Sequence, residues 1–160
     1  RDPQGDWSSD VCSSDLLIMV NKTNYQRVVQ VIKTISTQNE YELKVDFERK
    51  IVYEKFKGMF TKKAIANMQN DYKIKILPIF KGSKWSKYCD MITYNLSDSK
   101  NELGEFAQYC SDNGIVHAAL IVENVVVKMQ MNRIGKNIGV TPVVFTDETE
   151  AEDYLKTVGY

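Results

Sequence analysis

Residues 115–122 read IVHAALIV, and His117 alone interrupts this apolar run. A strand that is apolar on both faces is typical of a parallel sheet covered on each side. The run follows Gly114, which ends a stretch of helical periodicity, and another such stretch extends from about residue 124 to 138. A buried strand between two helices indicates parallel crossover connections, and therefore an α/β fold.

The chain from residue 41 onward repeats this alternation of strands and helices. Its first two predicted strands are separated only by a short polar turn, which indicates an antiparallel hairpin. The last strand contains Pro142, which favours a sheet edge or the start of a strand. The predicted strands are residues 41–47, 51–56, a segment within 84–94, 115–122 and 140–145. The order ββαβαβαβα predicts an α/β layered domain, with a mixed sheet of about five strands and helices packed on it.

Four helices are predicted from apolar residues at helical spacing and from residues that favour helix ends. Pro78 is expected at the end of the first helix, because a residue before proline avoids helical backbone. The expected caps are Thr61, the capping box of Ser99 with Glu102, and Asp147 with Glu150, while Gly114 is expected to end the second helix.

Residues 1–16 are expected to lie outside the fold. They contain the segment DWSSDVCSSDL, which has no apolar period and resembles the translation of a sequencing-library adapter. Residues 17–40 are ambiguous: Val28, Val29, Val31, Ile32 and Ile35 could line a short helix, but no cap is clear. We therefore assign residues 41–160 to the folded domain.

Outside residues 1–16 the chain contains two cysteines, Cys89 and Cys110. They lack C-x-x-C spacing and have no histidine nearby, which excludes a zinc site and a thioredoxin-like motif. Unpaired cysteines among apolar residues are typical of a reducing compartment, so we expect a cytoplasmic protein. No apolar run approaches the roughly 20 residues that a membrane span needs.

Three common motifs, two for nucleotide binding and one for an acyl-transfer nucleophile, are absent from the sequence. Neither G-x-x-x-x-G-K-[ST], G-x-G-x-x-G nor G-x-S-x-G occurs. His117 is the only histidine and has no partner at metal-ligand spacing, so we interpret it as a core or edge residue. We predict no enzymatic activity, no cofactor and no metal.

Positive charge is concentrated in residues 44–87, which hold twelve Lys and Arg against four Asp and Glu. Such a basic stretch can attract nucleic acid or an anionic membrane surface. Eleven of the twelve are Lys, which lacks the planar fork that reads bases and phosphates, so nucleic acid is disfavoured and a solvated lysine face is the alternative. The candidate basic surface is Lys57, Lys62, Lys63 and Lys84.

The element order and several short phrases resemble a known superfamily. The phrases are residues 45–46, 51–53 and 57–61, Asp90, residues 118–122, Gln130 and Arg133, and residues 145–147, 150–151 and 154–155. They are similar to those of the STAS-like superfamily, and in particular of its small SpoIIAA-like branch. The resemblance extends over roughly residues 41–160.

The resemblance implies a non-catalytic regulatory domain that binds a partner protein, as anti-sigma-factor antagonists do. In those members a Ser or Thr at the N-terminus of the helix after the third strand is phosphorylated, which changes partner affinity. Ser97 and Ser99 stand at this place, but the chain has Asp98-Ser99 without the second hydroxyl and the Gly of the family phrase. Helix capping alone also explains Ser99. Asp90 and Thr93, near the carboxyl end of the third strand, are further candidates for partner contact. The alternative for Asp90, which we favour, is that its carboxylate accepts a hydrogen bond from a neighbouring loop N–H.

Three functional hypotheses follow. The first is a regulatory STAS-like domain, resembling an anti-sigma-factor antagonist, that acts by protein–protein contact, with a homodimer left open. The second is a module that binds a small apolar or lipid-like ligand between the sheet and a helix, as CRAL-TRIO-like folds do. The third is weak binding to an anionic surface through residues 44–87. A packed interior favours the first, a continuous apolar cavity the second, and one contiguous lysine face the third.

Overall fold

The computed structural model describes residues 32–95, 98–136 and 138–160. The strands are β1 (Ile32–Thr37), β2 (Tyr41–Asp46), β3 (Ile51–Met59), β4 (Trp85–Asn95), β5 (Ile115–Ile121) and β6 (Val143–Phe145). The helices are α1 (Lys62–Asp71), α2 (Leu77–Phe80), α3 (Lys100–Asp112), α4 (Val125–Gly135) and α5 (Glu148–Thr157), and a π-helical turn, Tyr72–Ile76, joins α1 to α2. Among these described elements, no helix has the length and apolar character needed to cross a bilayer.

The six strands lie in sequence order across one sheet, from β1 at one edge to β6 at the other. The pairs β1–β2 and β2–β3 are antiparallel, whereas β3–β4, β4–β5 and β5–β6 are parallel. Helices connect each parallel pair, so the predicted α/β layered domain with a mixed sheet is confirmed. β6 begins directly after Pro142 at the sheet edge, as that proline predicts, and is shorter than the expected 140–145.

The sheet has one more strand than predicted, because β1 lies within the ambiguous segment 17–40. Its antiparallel pairing places Ile32 opposite Asp46 and Thr37 opposite Glu42, so Ile35 lies on a strand and not on a helix. The β-branched side chains of IKTIST fit a pleated sheet, and pairing with β2 outweighs a weak helical pattern. Residues 1–31, including the adapter-like segment, lie outside the described residues.

The helices divide between the two faces of the sheet. α1 to α4 contribute to the core on one face, called here the helical face, together with Phe56 and Trp85. α5 packs on the opposite face, called the α5 face, where Leu155 belongs to a separate cluster with Ile51 and Ile121. Residues of β5 lie in both clusters, so the prediction of a strand covered on both sides is confirmed.

Most of the predicted helix ends are confirmed. Thr61 accepts a hydrogen bond from the Ala64 amide at 3.2 Å, and Asp147 accepts one from the Glu150 amide at 3.0 Å. Gly114 has a φ of +96°, as a residue that ends a helix in the left-handed conformation does.

The predicted capping box is wrong. The side chain of Ser99 makes no capping hydrogen bond to the first-turn amides of α3. Glu102, the other residue of the expected box, forms an ion pair with Lys62 of α1, 2.6 Å away.

Pro78 does not end the first helical segment, contrary to prediction. The backbone passes from α1 through the π-helical turn into α2, and Pro78 lies in the first turn of α2. Proline is tolerated there because its missing N–H would have no partner within the helix. The segment ends at Lys81, whose φ is +49° and whose amide donates to the Leu77 carbonyl at 3.3 Å.

Candidate functional site

The predicted switch position is only partly within the structure. Ser97 lies outside the described residues. Ser99 precedes α3 and is 1% exposed, and its carbonyl accepts a hydrogen bond from the Leu103 amide at 3.0 Å. A buried hydroxyl is not accessible to a modifying enzyme in this conformation, so the structure does not present Ser99 as a surface group.

Asp90 and Thr93 take part in contacts within the sheet. The Asp90 carboxylate accepts from the Ile92 amide at 3.0 Å and lies 3.0 Å from the Lys55 ammonium. The hydrogen bond to Asp90 raises the pKa of Lys55. Thr93 donates its hydroxyl to the Phe56 carbonyl at 3.0 Å, where the β3–β4 register shifts. The polar groups of Asp90 and Thr93 therefore have partners within the sheet itself.

Carboxylates neutralise much of the basic stretch. Seven of its twelve cations form ion pairs, namely Lys44 and Lys57 with Glu42, Arg49 with Glu152, Lys55 with Asp90, Lys62 with Glu102, Lys75 with Asp71 and Lys87 with Glu54. Of the four residues predicted to form a basic surface, Lys57 and Lys62 are paired, while Lys63 and Lys84 are exposed. The lysines therefore do not act as one uniformly positive face.

A charged cluster that the sequence analysis missed lies inside the helical face. The side chain of Glu54 is fully buried and that of Lys87 is 13% exposed, with 3.2 Å between the carboxylate and the ammonium. Tyr72 donates its hydroxyl to Glu54. The sequence signal was available, since Glu54 alternates with Val52 and Phe56 on the apolar side of β3.

Burial and nearby charge shift the pKa values of Lys87, Tyr72 and the two neighbouring thiols. Burial opposes the charge of Lys87, but the nearby Glu54 outweighs this effect and raises the lysine pKa. Burial, reinforced by Glu54, raises the pKa of Tyr72 well above its usual value. Burial also raises the pKa of Cys110 to about 12 and that of Cys89 well above its usual value. Both thiols are therefore protonated at neutral pH, a state that is poor for nucleophilic attack or metal binding.

A small apolar cavity adjoins this cluster. Its volume is about 70 Å³. Its walls come from the sheet, α3, α4 and the segment that follows α4, and they include Lys87, Cys89, Cys110, Leu120 and Met131. Within the described residues, no group of three or more His, Cys, Asp and Glu is placed to hold a metal ion.

His117 lies on the α5 face, where aromatic residues surround it. The hydroxyl of Tyr154 is 3.3 Å from His117 Nδ1, and the rings of Tyr154 and Tyr160 meet the imidazole edge-on. These contacts agree with the interpretation of His117 as a core or edge residue.

A second concavity opens at the surface between α3 and α4. This feature, called here the α3–α4 groove, has a volume of about 630 Å³. The residues that line it are Lys100, Asn101, Gly104, Gln108, Val126, Met129, Gln130, Arg133, Ile134 and Ile138. Val126 and Met129 are 56% and 53% exposed, and Val125 beside them is 69% exposed. The sequence does not reveal this surface, because an apolar pattern does not show which side chains the rest of the fold leaves exposed.

No family model matches the chain, and no curated protein matches it. Among solved structures, it is similar to an uncharacterised protein of the DUF3478 family with a SpoIIAA-like fold, from Shewanella loihica PV-4. The TM-score is 0.55 at 14% sequence identity, and the match covers 78% of this chain and 92% of the other. The protein has a SpoIIAA-like fold. The resemblance drawn from the sequence is thus confirmed for the fold, while at this identity a SpoIIAA-like fold does not by itself define a function.

Proposed function

We propose that the protein is a non-catalytic regulatory domain that binds another protein through the α3–α4 groove. The observation that carries the proposal is the exposure of Val125, Val126 and Met129, three apolar side chains grouped on the first turns of α4. Exposed apolar side chains grouped beside a groove are typical of interaction sites. We place this function in the cytoplasm because Cys89 and Cys110 are free thiols buried in the core.

The position of the groove also supports a regulatory role. Lys100 and Asn101, at the start of α3, form one end of its lining. α3 is the helix after the third predicted strand, and the resemblance to anti-sigma-factor antagonists implies partner contact at this helix.

The interior argues against the apolar-ligand alternative. Pockets for drug-sized ligands have volumes of roughly 300–1,000 Å³. The cavity at Lys87 is only about 70 Å³, which is too small for a lipid-like molecule without rearrangement of the core. The ion pairs along residues 44–87 argue similarly against attachment to an anionic surface through that stretch.

The test is affinity capture from the native host with the whole chain as bait. Three baits are compared: the unchanged chain, Val126→Asp in the groove and Ile74→Asp, a matched control that is also 56% exposed but lies on the π-helical turn. Urea denaturation first checks that the three are equally folded. We expect a protein that mass spectrometry finds with the unchanged chain and with Ile74→Asp but not with Val126→Asp. The same captured set with all three baits would refute the proposal.

A further inference from the structure

We infer that the occupant of the α3–α4 groove is an acidic amphipathic helix of the partner protein. This inference rests on the proposed function, since it specifies which chemistry of partner the same groove accepts.

The geometry of the groove suits a helix. α3 and α4 are neighbours and run in the same direction, because each follows a strand of the parallel part of the sheet. Two packed helices leave a furrow that accepts the apolar stripe of a third helix. Val126 and Met129, three residues apart on α4, supply an apolar wall, and Ile134 and Ile138 also line the groove.

The charged residues of the groove favour a bound surface of negative charge. Among the described residues that line it, the charged ones are Lys100 and Arg133, and none is acidic. The acidic residues of α3 are not among the lining residues: Glu102 pairs with Lys62, and Asp112 accepts a hydrogen bond from the lining residue Gln108 at the edge of the groove. α4 itself contains Lys128 and Arg133 but no Asp or Glu. A lining whose charged residues are Lys100 and Arg133 favours an anionic partner surface.

A buried polar atom without a hydrogen-bond partner among the described residues lies in the same place. Gln130 Oε1 is buried in the lining and accepts no hydrogen bond from any described residue. A buried acceptor of this kind gains free energy when a donor reaches it.

A second copy of the chain is a weaker occupant. α5 is the acidic helix of this protein, with Glu148, Glu150, Glu152 and Asp153. Its apolar residues Ala151 and Leu155 are both 0% exposed against the α5 face. They would have to leave their own sheet before α5 could enter the groove of another copy.

The experiment measures binding of two labelled synthetic peptides by fluorescence anisotropy at low and at high salt. Both are helical and carry the same Leu stripe, and one has Glu where the other has Lys on the flanking positions. We expect the Glu peptide to bind roughly tenfold or more tightly than the Lys peptide at low salt, and this preference to shrink as salt screens the charges. The double variant Lys100→Glu/Arg133→Glu is expected to reverse the preference, whereas the control Lys84→Glu is expected to keep it.

The outcomes separate this inference from the proposed function. Equal affinity for both peptides, or an unchanged preference for the Glu peptide in Lys100→Glu/Arg133→Glu, overturns the inference that the groove binds an acidic helix. If the captured protein is still lost in Val126→Asp, the proposed function is supported even though the inference about an acidic helix is wrong.

Sedimentation measures the oligomeric state of the unchanged chain and of Val126→Asp. A dimer that forms in the unchanged chain but not in Val126→Asp would overturn the inference, because the occupant of the groove would then be a second copy of this chain. The last outcome concerns anionic phospholipid vesicles. If the unchanged chain binds these vesicles, Val126→Asp does not, and neither peptide binds, the inference is overturned and the groove contacts a membrane surface.

Discussion

The carboxylate of Glu54 and the ammonium of Lys87 lie 3.2 Å apart inside the helical face of the sheet. They come from the adjacent parallel strands β3 and β4. Burial of either charge is tolerated only while the other is present, because each compensates the other for the loss of water. Tyr72 donates to the same carboxylate and thereby links the π-helical turn to the sheet.

Removing one charge of this pair should destabilise the protein strongly. Glu54→Gln leaves Lys87 buried without its counter-ion, at an expected cost of about 3–5 kcal/mol. The double variant Glu54→Gln/Lys87→Met should lose much less than the sum of its single changes, because no charge then remains. Urea denaturation in a double-mutant cycle measures the coupling, and additive losses would show that the two groups do not interact.

The buried thiols should make stability fall at alkaline pH. An unfolded Cys titrates near about pH 8.5, whereas burial raises the pKa of Cys110 to about 12 in the folded state. Between these values the folded chain holds a proton that the unfolded chain has released, so raising the pH favours unfolding. The stability is therefore fully present below about pH 8.5 and is lost progressively above it.

Urea denaturation between neutral pH and about pH 10 tests this expectation, with Cys110→Ala as the comparison. The variant should be less stable at neutral pH because it leaves a cavity, but its stability should decline less steeply as the pH rises. If the free energy of unfolding falls equally steeply with pH in both proteins, the titration of Cys110 is not the cause of the decline.

Ser99→Asp should destabilise the fold rather than leave it unchanged. Ser99 is 1% exposed, so an Asp carboxylate there would lose its water, at an expected cost of roughly 1–3 kcal/mol or more. Thermal or urea denaturation measures the loss. The exposed neighbour Asp98, changed to Asn, is the control and should shift stability by about 0.5 kcal/mol or less. An equally small effect of Ser99→Asp would indicate that this residue can turn to the surface.

Arg49 should hold α5 and the last residue against the sheet. Its guanidinium donates to the Tyr53 hydroxyl at 3.0 Å and to the Tyr160 carbonyl at 3.1 Å, and it pairs with Glu152. Arg49→Ala should therefore speed amide hydrogen exchange in α5 while leaving β4 protected. The control Lys156→Ala removes a pair whose side chains are 60% and 63% exposed, and should leave exchange nearly unchanged. Equal exchange in both variants would exclude this role for Arg49.

Much of the fold could be predicted from local sequence. The apolar run of β5, the alternation in β2 and the caps Thr61 and Asp147 depend on neighbouring residues, so their patterns are visible in the chain. The predictions were wrong where contacts with distant residues outweigh the conformational preference of the local sequence. Pairing with β2 made residues 32–37 a strand, and Lys62 paired with the Glu102 that a capping box would have used.

The candidate site depended on tertiary structure almost entirely. The sequence by itself determined the alternation of strands and helices from β2 onward, because hydrophobic period acts between residues close in the chain. Only the tertiary structure decided that Glu54 meets Lys87, that carboxylates from other segments neutralise the lysines, and that Val126 and Met129 remain uncovered. These outcomes depend on which surfaces meet across the sheet, since a side chain's exposure and its charge partner are set by residues that are distant in sequence.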